Sequence, residues 1–520
     1  MAEQKKSAVK TVSGVMILTL LGKILGLLRD RMLSVTYGSG METNAFLTAS
    51  RIPRVFFDAI FASAVAACFI PVFSEYLTKK GKKVAFGFSN DFFSLISLLC
   101  CVLTVLGIVF ADQLVTLFAN GFDEETAALC VSLTRVMFPS VLFTGIAFSM
   151  VGVLQSMDEF NIPALISVVS NVAVILYFIF FNDRFGIYGL ALAFLFSWFL
   201  QAAVQVPSLL KKGYFYRPSF HFRSEGLKKV FALMIPVMVS TWVQPINLAI
   251  NTRFGSHLFN GAGVSAIEFA NNLYLIVTGV FVLSVTNVVF PRLSRLTARN
   301  DNAAFRETIA SVIHSSLFFV IPLMAGLMTL ARPCVDLIYG GGQFDAFSVD
   351  ITGRALVFLS LGMVAYTVQT ILSRAFFAEQ SGKVPLVAGI FAIATNILLC
   401  IVLTEPFDVA GLAVASSISC VVNALILVIF LEKKGMGFFS KKFCLDMLKV
   451  IAAAFIMAAA VYGLRLLVEG VVSGMIGKII TVFVPTLGGL VVYFLAAIAL
   501  RIEEGLAAVS LCKKVFHFHK

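Results

Sequence analysis

Six charged residues near the N-terminus lie within two segments that are otherwise apolar enough to cross a membrane. They are Arg29, Asp30 and Arg31 in the first segment and Arg51, Arg54 and Asp58 in the second. A charge at the centre of a transmembrane helix costs about 2.5–3.5 kcal/mol, so it is retained where it faces a protein interior or a water-filled cavity. We therefore predict that the functional site lies around these residues.

The cations of this group suit a negatively charged ligand. Guanidinium groups are planar forks that match phosphate oxygens better than a lysine amine does, so the arginines favour a phosphate-bearing substrate, with Asp30 and Asp58 orienting them. A structural interpretation is also open. In it, Arg54 and Asp58 neutralise each other on one helix face, and Arg29 and Arg31 extend toward the membrane interface.

The composition of the whole chain is that of a membrane protein. Of its 520 residues, 59% are hydrophobic and 13% are charged, proportions that ordinary soluble domains do not reach. A membrane-spanning helix needs about 20 apolar residues, and the sequence predicts about fourteen such helices. Their centres lie near residues 22, 61, 101, 141, 171, 198, 240, 278, 319, 361, 393, 420, 455 and 487. The predicted fold class is an all-α polytopic membrane protein.

The net charge of +12 is distributed among loops rather than gathered in one patch, which argues against a nucleic-acid partner. Basic loops, such as residues 79–83 and 211–229, alternate with neutral or acidic loops, such as residues 123–125 and 405–408. Cytoplasmic loops of membrane proteins carry the excess of lysine and arginine. Both termini are therefore predicted to be cytoplasmic.

Motifs for metal binding, nucleotide binding or covalent catalysis are not recognisable in the sequence. The nine cysteines include no C-x-x-C pair, and neither Gly22-Lys23 nor Gly477-Lys478 is followed by the serine or threonine of a P-loop. Five histidines are isolated in the sequence: His221, His257, His314, His517 and His519. We expect no metal site, no cofactor and no enzymatic activity.

An internal repeat relates two parts of the chain. Four matches occur in order at an offset of 220 to 222 residues: Ile70 to Ser74 with Phe290 to Ser294, Phe122-Asp123 with Phe344-Asp345, Gly189-Leu190-Ala191 with Gly411-Leu412-Ala413, and Lys211-Lys212-Gly213 with Lys433-Lys434-Gly435. A six-helix unit repeated in the same orientation is a transporter architecture. The offset also places Arg253 at the position equivalent to Arg31, so a second cation is predicted in the repeated lobe.

The repeat predicts four regions. Residues 1–217 form an N-terminal six-helix lobe, and residues 218–437 form its repeat. Residues 438–502 contain two additional transmembrane helices, and residues 503–520 form a basic cytoplasmic tail.

Several short motifs in the first two predicted spans resemble the start of a known family. They are Gly22-Lys23-Ile24-Leu25-Gly26-Leu27-Leu28-Arg29-Asp30, Tyr37-Gly38-Ser39-Gly40, Asn44-Ala45-Phe46, Ile52-Pro53 and Phe69-Ile70-Pro71-Val72-Phe73-Ser74-Glu75-Tyr76. Together they are similar to the MurJ/MviN lipid II flippase family, and the similarity covers most of the first twelve predicted spans. It implies the multidrug/oligosaccharidyl-lipid/polysaccharide exporter fold, with two lobes, a cationic cavity for diphosphate and sugar, and a lipid-tail groove at the two C-terminal helices.

The resemblance carries over to particular positions. Lys23 takes the place of a family arginine, Arg29 and Asp30 match directly, and Arg51 matches a basic position before a proline. The predicted diphosphate-binding residues are Lys23, Arg29, Arg31, Arg51, Arg54 and Arg253, the orienting acids are Asp30 and Asp58, and the polar cavity residues are Asn44, Asn271 and Asn272.

The chain departs from the family pattern at three places. Asn44 stands where the family usually has an acid, Phe57 where it has an arginine, and Asn271-Asn272 where it has an Asp-Arg pair. Arg54 and Arg253 are the residues that we expect to compensate for the lost arginines.

The resulting prediction is a flippase that moves lipid II from the inner to the outer leaflet of a bacterial cytoplasmic membrane by alternating access. This role belongs to peptidoglycan and cell wall biosynthesis, and hence to cell shape. We expect a monomer, surrounded by membrane lipids and coupled to the membrane potential or to a monovalent cation. Three alternatives stay open: a flippase for another undecaprenyl-linked saccharide of capsule or teichoic acid, a cation-coupled drug exporter, and a membrane scaffold or channel without a transport cycle.

Overall fold

The computed structural model describes residues 2–57, 68–241, 243–299, 301–379 and 381–506. In these ranges the regular secondary structure is helical, apart from an isolated bridge between Gly341 and Phe344. The α-helices are α1 (Ala2–Tyr37), α2 (Met41–Phe57), α3 (Ile70–Lys79), α4 (Lys82–Val109), α5 (Ala111–Ala119), α6 (Glu124–Met137), α7 (Ser140–Ser156), α8 (Asn161–Phe180), α9 (Asn182–Ala203), α10 (Val206–Lys211), α11 (Glu225–Thr241), α12 (Val243–Gly255), α13 (Ala262–Ala298), α14 (Asn302–Thr329), α15 (Ala331–Ile338), α16 (Ala346–Ser360), α17 (Met363–Ala378), α18 (Lys383–Lys433), α19 (Lys441–Val468) and α20 (Gly474–Ala499).

Many of these helices are long and apolar enough to cross a membrane. In the part of the chain that the structure describes, seven segments pass this test on their own: α4, α8, α9 with α10, α14, α18, α19 and α20. The pairs α6–α7 and α16–α17 pass together and bend by 40° and 49°. The predicted all-α polytopic class is confirmed.

The chain divides into two compact units, Met1–Ser265 and Ala266–Lys520. In the first unit, α1 packs on α8, α8 on α9, and α2 on α6. In the second unit, α19 packs on both α20 and α14. The region boundaries at residues 217, 437 and 502 stay predictions, and residues 507–520 of the basic tail lie outside the described residues.

The internal repeat is visible in the backbone. Gly186 near the start of α9 has φ 53° and ψ −148°, and Asp408 within α18 has φ 51° and ψ −134°. These residues are 222 positions apart, and each breaks the helix at the same point of its repeat. The break at Asp408 divides the 51-residue α18 into the two spans that the sequence predicts there.

Helix caps repeat at the same offset. The carboxylate of Asp123 accepts a hydrogen bond from the backbone N–H of Thr126 at 3.2 Å, and that of Asp345 accepts one from the N–H of Ser348 at 2.8 Å. Such caps satisfy first-turn N–H groups that have no partner within the helix. The hydrogen bonds from Thr126 hold the pKa of Asp123 below its usual range. Equivalent caps start α6 and α16, which are equivalent helices of the repeat.

Replacing Asp408 with glycine is expected to stabilise the protein. Residues other than glycine are strained at φ near +50° with ψ near −134°, at a cost of about 1–3 kcal/mol, and the repeat already has Gly186 at the equivalent position. Asp408→Gly should therefore raise the Tm of the purified protein in detergent. The reciprocal Gly186→Asp should lower it, and a lower Tm for Asp408→Gly would show that the side chain of Asp408 contributes more than its backbone strain costs.

Candidate functional site

The first cluster of charges joins α1 to α8. The guanidinium of Arg29 donates to Asp30 Oδ1 from Nη2 at 2.7 Å and from Nε at 3.0 Å, and its Nη1 donates to Asn171 Oδ1 at 3.1 Å. Asn171 in turn donates to the carbonyl of Gly22 at 3.0 Å. Asp30 and Asn171 are buried, while 29% of the Arg29 side chain is exposed. Arg29 is thus a cation held in place by a carboxylate and an amide, with one part still accessible.

The second cluster joins α2 to α12. Arg51 is 6% exposed, and its Nη1 donates to Thr252 Oγ1 at 2.5 Å. The same hydroxyl donates to the carbonyl of Leu248 at 2.9 Å, so Thr252 is fixed on its own helix while it accepts from Arg51. One turn before Arg51, the buried hydroxyl of Thr48 has no hydrogen-bond partner among the described residues. A guanidinium buried in this way is a strong fixed positive charge within a predicted span.

Arg54 and Arg253 have different surroundings. Arg54 is exposed and lies by a small pocket of α2, α7 and α9 whose other lining residues are Ser50, Pro53, Ser140, Thr144, Phe194 and Trp198. Arg253 follows Thr252 on α12, but its Nη1 donates to the carbonyl of Leu117 in α5 at 2.6 Å. The structure therefore brings Arg51 to α12 through Thr252, whereas Arg253 stabilises the carbonyl end of α5.

Asn44 connects the α1–α2 turn to the start of α13. Its Nδ2 donates to the carbonyls of Ser39 and Gly40 at 2.7 and 2.8 Å, and its Oδ1 accepts from the backbone N–H of Ser265 at 3.1 Å. The side chain is completely buried. A carboxylate could not donate to the two carbonyls, so the amide gives this turn hydrogen bonds that an acid at the same position could not supply.

The remaining predicted site residues are distributed over both units. Lys23 and Arg31 lie on α1 and are partly buried. Asn271 and Asn272 lie on α13 in the second unit and are also partly buried, one helical turn after the acidic Glu268. Asp58 lies outside the described residues, and the side chain of Phe57 is likewise not described. The positions of these residues do not test whether they bind substrate, so their roles in substrate binding stay predictions.

Elsewhere in the first unit, ion pairs join α3 to α11. Glu75 pairs with Lys79 at 3.2 Å and, more closely, with Lys229. The hydrogen bonds from the two lysines lower the pKa of the Glu75 carboxyl. Because all three groups are partly or largely exposed, this contact contributes little to stability.

Sequence reasoning missed the partners of the arginines. Asn171 and Thr252 lie 142 and 201 residues from Arg29 and Arg51, and they belong to residue types that are common in membrane helices. The signal that could have suggested them is that Asn251-Thr252 precedes Arg253 in the repeat, and that Asn171 is an amide in the middle of α8, a helix otherwise made mostly of apolar residues.

The second unit contains an apolar groove between α14, α17 and α19. Its cavity has a volume of about 480 Å³ and is lined by Ile313, Leu317, Ile321, Val364, Val368, Phe438, Phe439, Phe443, Cys444, Met447, Leu448 and Ile451. Every one of these side chains is apolar. The groove can therefore accommodate a hydrocarbon chain.

The second unit also has a polar pocket of about 720 Å³ near the starts of α15, α16 and α20. Lys478 donates to Asp336 Oδ1 at 2.7 Å, and Arg465 pairs with both carboxylate oxygens of Glu469 at 3.1 and 3.2 Å. These two cations, which sit on the less basic side of the predicted membrane, are thus neutralised by neighbouring acids.

Comparison with known proteins gives consistent matches along most of the chain. The family model described as "Lipid II flippase MurJ" matches residues 33–496. A probable lipid II flippase MurJ of Buchnera aphidicola subsp. Acyrthosiphon pisum is 30% identical over 80% of this chain and 82% of its own length. The lipid II flippase MurJ of Burkholderia cenocepacia is 28% identical over 88% and 89%.

Solved structures resemble the chain as well. A structure of lipid II flippase MurJ in an inward closed conformation matches with a TM-score of 0.77 and 25% identity, over 94% of this chain and 98% of the other. An inward-facing multidrug resistance MATE transporter matches with a TM-score of 0.68 and 15% identity, over 82% and 98%, which shows a shared fold alone.

Asn44 offers a direct test of the turn that it holds. Asn44→Ala should lower the Tm because it leaves the carbonyl of Ser39 and the N–H of Ser265 without their side-chain partner, at about 1–3 kcal/mol each, whereas the carbonyl of Gly40 keeps the backbone N–H of Asn44. Asn44→Asp should also lower the Tm, since a carboxylate would face the carbonyls of Ser39 and Gly40. The control Asn302→Ala changes an exposed amide at the start of α14 and should have little effect. A Tm for Asn44→Asp equal to the wild-type value would contradict the hydrogen-bond assignment.

Proposed function

We propose, because this chain belongs to the lipid II flippase MurJ family, that it moves lipid II from the inner to the outer leaflet of the bacterial cytoplasmic membrane. The family resemblance found in the sequence is confirmed, and the chain is a multi-pass membrane protein of a transporter family. The finer statements, that it is not an enzyme and that it works as a monomer with both termini in the cytoplasm, belong to the proposal.

The observation that carries the proposal is the pair of arginine clusters within predicted spans. Arg29 and Arg51 are fixed by Asn171 and Thr252, so their guanidinium groups are oriented before a ligand arrives. Pre-oriented guanidinium groups bind the oxygens of a diphosphate with little loss of side-chain entropy. The hydroxyl of Thr48, one turn before Arg51, has no hydrogen-bond partner in the part of the chain that the structure describes, and it offers a further hydrogen bond to such a ligand.

The apolar groove between α14, α17 and α19 supports a lipid substrate. A polyprenyl tail has no polar group, and the groove lining is likewise apolar. Burying a chain in such a groove orders it without breaking hydrogen bonds. Part of the lining belongs to α19, the first of the two helices beyond the repeat, which gives that helix the role of a tail-binding surface.

The transport cycle that we propose is alternating access. The charge of a diphosphate makes its movement sensitive to the membrane potential, and coupling to that potential or to a monovalent cation is part of the proposal. A flippase for another undecaprenyl-linked saccharide shares the same cation and groove chemistry. The amides Asn271 and Asn272 stand where the family resemblance leads us to expect a charged pair, and this difference favours a flippase for another saccharide as the second candidate function.

Removing either arginine should abolish transport. In a strain depleted of its own lipid II flippase, Arg29→Ala and Arg51→Ala should fail to restore growth although the protein accumulates in the membrane. Binding of lipid II to the purified variants should be about 10- to 100-fold weaker, because a charge-assisted hydrogen bond contributes about 1.5–3 kcal/mol. Growth is scored by plating, protein by immunoblot and binding by native mass spectrometry.

The matched control is Arg135→Ala, which removes an arginine from an exposed pair with Asp112 and should support normal growth. Full activity of both Arg29→Ala and Arg51→Ala would refute the anion site. Failure of the wild-type protein itself to restore growth, at normal protein levels, would favour another undecaprenyl-linked saccharide as the substrate.

Filling the apolar groove should weaken binding of the tail. Ile451→Trp adds a large side chain to the groove wall of α19, so photocrosslinking of a lipid II analogue with a diazirine in its prenyl chain should fall several-fold. Ile456→Trp makes the same change on the same helix at an exposed position outside the groove lining and should leave the yield unchanged. Equal yields from the two variants would exclude the groove as the tail site.

A further inference from the structure

A largely buried histidine lies between two carboxylates in the second unit. His314 on α14 forms a hydrogen bond through Nδ1 with Glu504 Oε1, just beyond α20, and its Nε2 lies 3.9 Å from Asp446 Oδ2 on α19. The exposed fractions of the three side chains are 14%, 19% and 12%. Three separate parts of the chain thus meet at one imidazole ring.

The hydrogen bonds of this cluster are incomplete when the ring is neutral. A neutral imidazole has one N–H, and a protonated one has two. With its proton on Nδ1, the neutral ring donates to Glu504 and turns the lone pair of Nε2 toward the carboxylate of Asp446. Nε2 of His314 and Oε2 of Glu504 are buried and have no hydrogen-bond partner among the described residues. A second proton on the ring converts this repulsive contact into an attractive one.

The charges around the ring also favour its protonated form. Three carboxylates gather here: Asp446 on α19, and Glu503 and Glu504 after α20. Two lysines of α19 face them, since Lys449 pairs with Asp446 at 3.1 Å and Lys442 with Glu503 at 2.6 Å. The other neighbours are Ser315 on α14, Phe443 on α19 and Tyr493 on α20, and all are uncharged. The exposed pair of Lys442 and Glu503 is neutral by itself. Closer to the ring, Asp446 and Glu504 face one lysine, Lys449, so one positive charge on the ring balances them, and unbalanced charge is costly among largely buried side chains.

We propose that His314, Asp446 and Glu504 form a proton-binding site that fastens α14, α19 and the segment after α20 to one another. The protonated ring donates to a carboxylate on each side and so links three elements that are distant in the sequence. The neutral ring links only two of them. The ligand is a single proton, taken from water on the side of the membrane where α14 and α19 begin and α20 ends.

This site adjoins the apolar groove. Ile313, next to His314 in the sequence, lines the groove. So do Phe443, one helical turn before Asp446, and Met447, the residue after it. The ring centroids of His314 and Phe443 are 5.9 Å apart. Proton uptake would draw α19 toward α14 and narrow this end of the groove. An effect of this narrowing on a bound lipid tail depends on the proposed function, whereas proton binding by the cluster does not.

The test compares the Tm of the purified protein without substrate at pH 8 and at pH 5.5, the range in which histidine titrates. Because the folded protein binds the extra proton more tightly than the unfolded chain does, acidification from pH 8 stabilises the wild type relative to His314→Gln, and the gain is complete once the unfolded histidine is protonated as well. We expect the difference in Tm between the two proteins to grow by about 3 °C from pH 8 to pH 5.5. The absence of lipid II keeps this test separate from that of transport.

The matched control is His221→Gln. His221 Nδ1 also lies 3.9 Å from a carboxylate, that of Asp91, but its side chain is 87% exposed, so its removal should leave the pH dependence unchanged. Glu504→Gln provides a second variant and should lose most of the stabilisation at low pH, including in the case that His314→Gln does not fold. Wild-type pH dependence in Glu504→Gln, or in His314→Gln, would overturn the proton site.

Discussion

A charge inside a membrane must either meet an opposite or polar group or face water, and this constraint shapes the first unit of the protein. Arg29 satisfies it with Asp30 and Asn171, and Arg51 with the hydroxyl of Thr252. Each solution requires a second helix at a defined position, because the partner comes from α8 in one case and from α12 in the other. The arginines therefore fix the packing of the helices as well as providing positive charge.

The same constraint applies to the backbone, whose N–H and C=O groups must also be satisfied where water is scarce. Asn44 does so for the α1–α2 turn and for the first turn of α13, and Arg253 does so for a carbonyl of α5. These contacts use polar residues that the sequence suggested as cavity residues. In the structure they form hydrogen bonds with backbone groups at helix ends, which is a structural role rather than a ligand-binding one.

Much of the fold could be predicted from the sequence, since long apolar runs and an offset of 222 residues are properties of the chain itself. The repeat was predicted from short matches, and it reappears as similar backbone angles at Gly186 and Asp408. The partners within the site could not be predicted. Asn171 and Thr252 are selected by tertiary packing, and the meeting of His314 with Glu504, 190 residues later, joins residues that look isolated in sequence.

The partners of the arginines also bear on how a transporter can release what it binds. A bare guanidinium in a dry site would hold a diphosphate too tightly for a cycle to continue, since conduction and transport need binding strong enough for entry and weak enough for exit. Asp30 competes with any anion for Arg29, and the hydroxyl of Thr252 competes for Arg51. A ligand gains only the difference between its own contacts and those it replaces. Under the proposed function, this internal pairing lowers the affinity of the two arginines for a diphosphate and so favours its release.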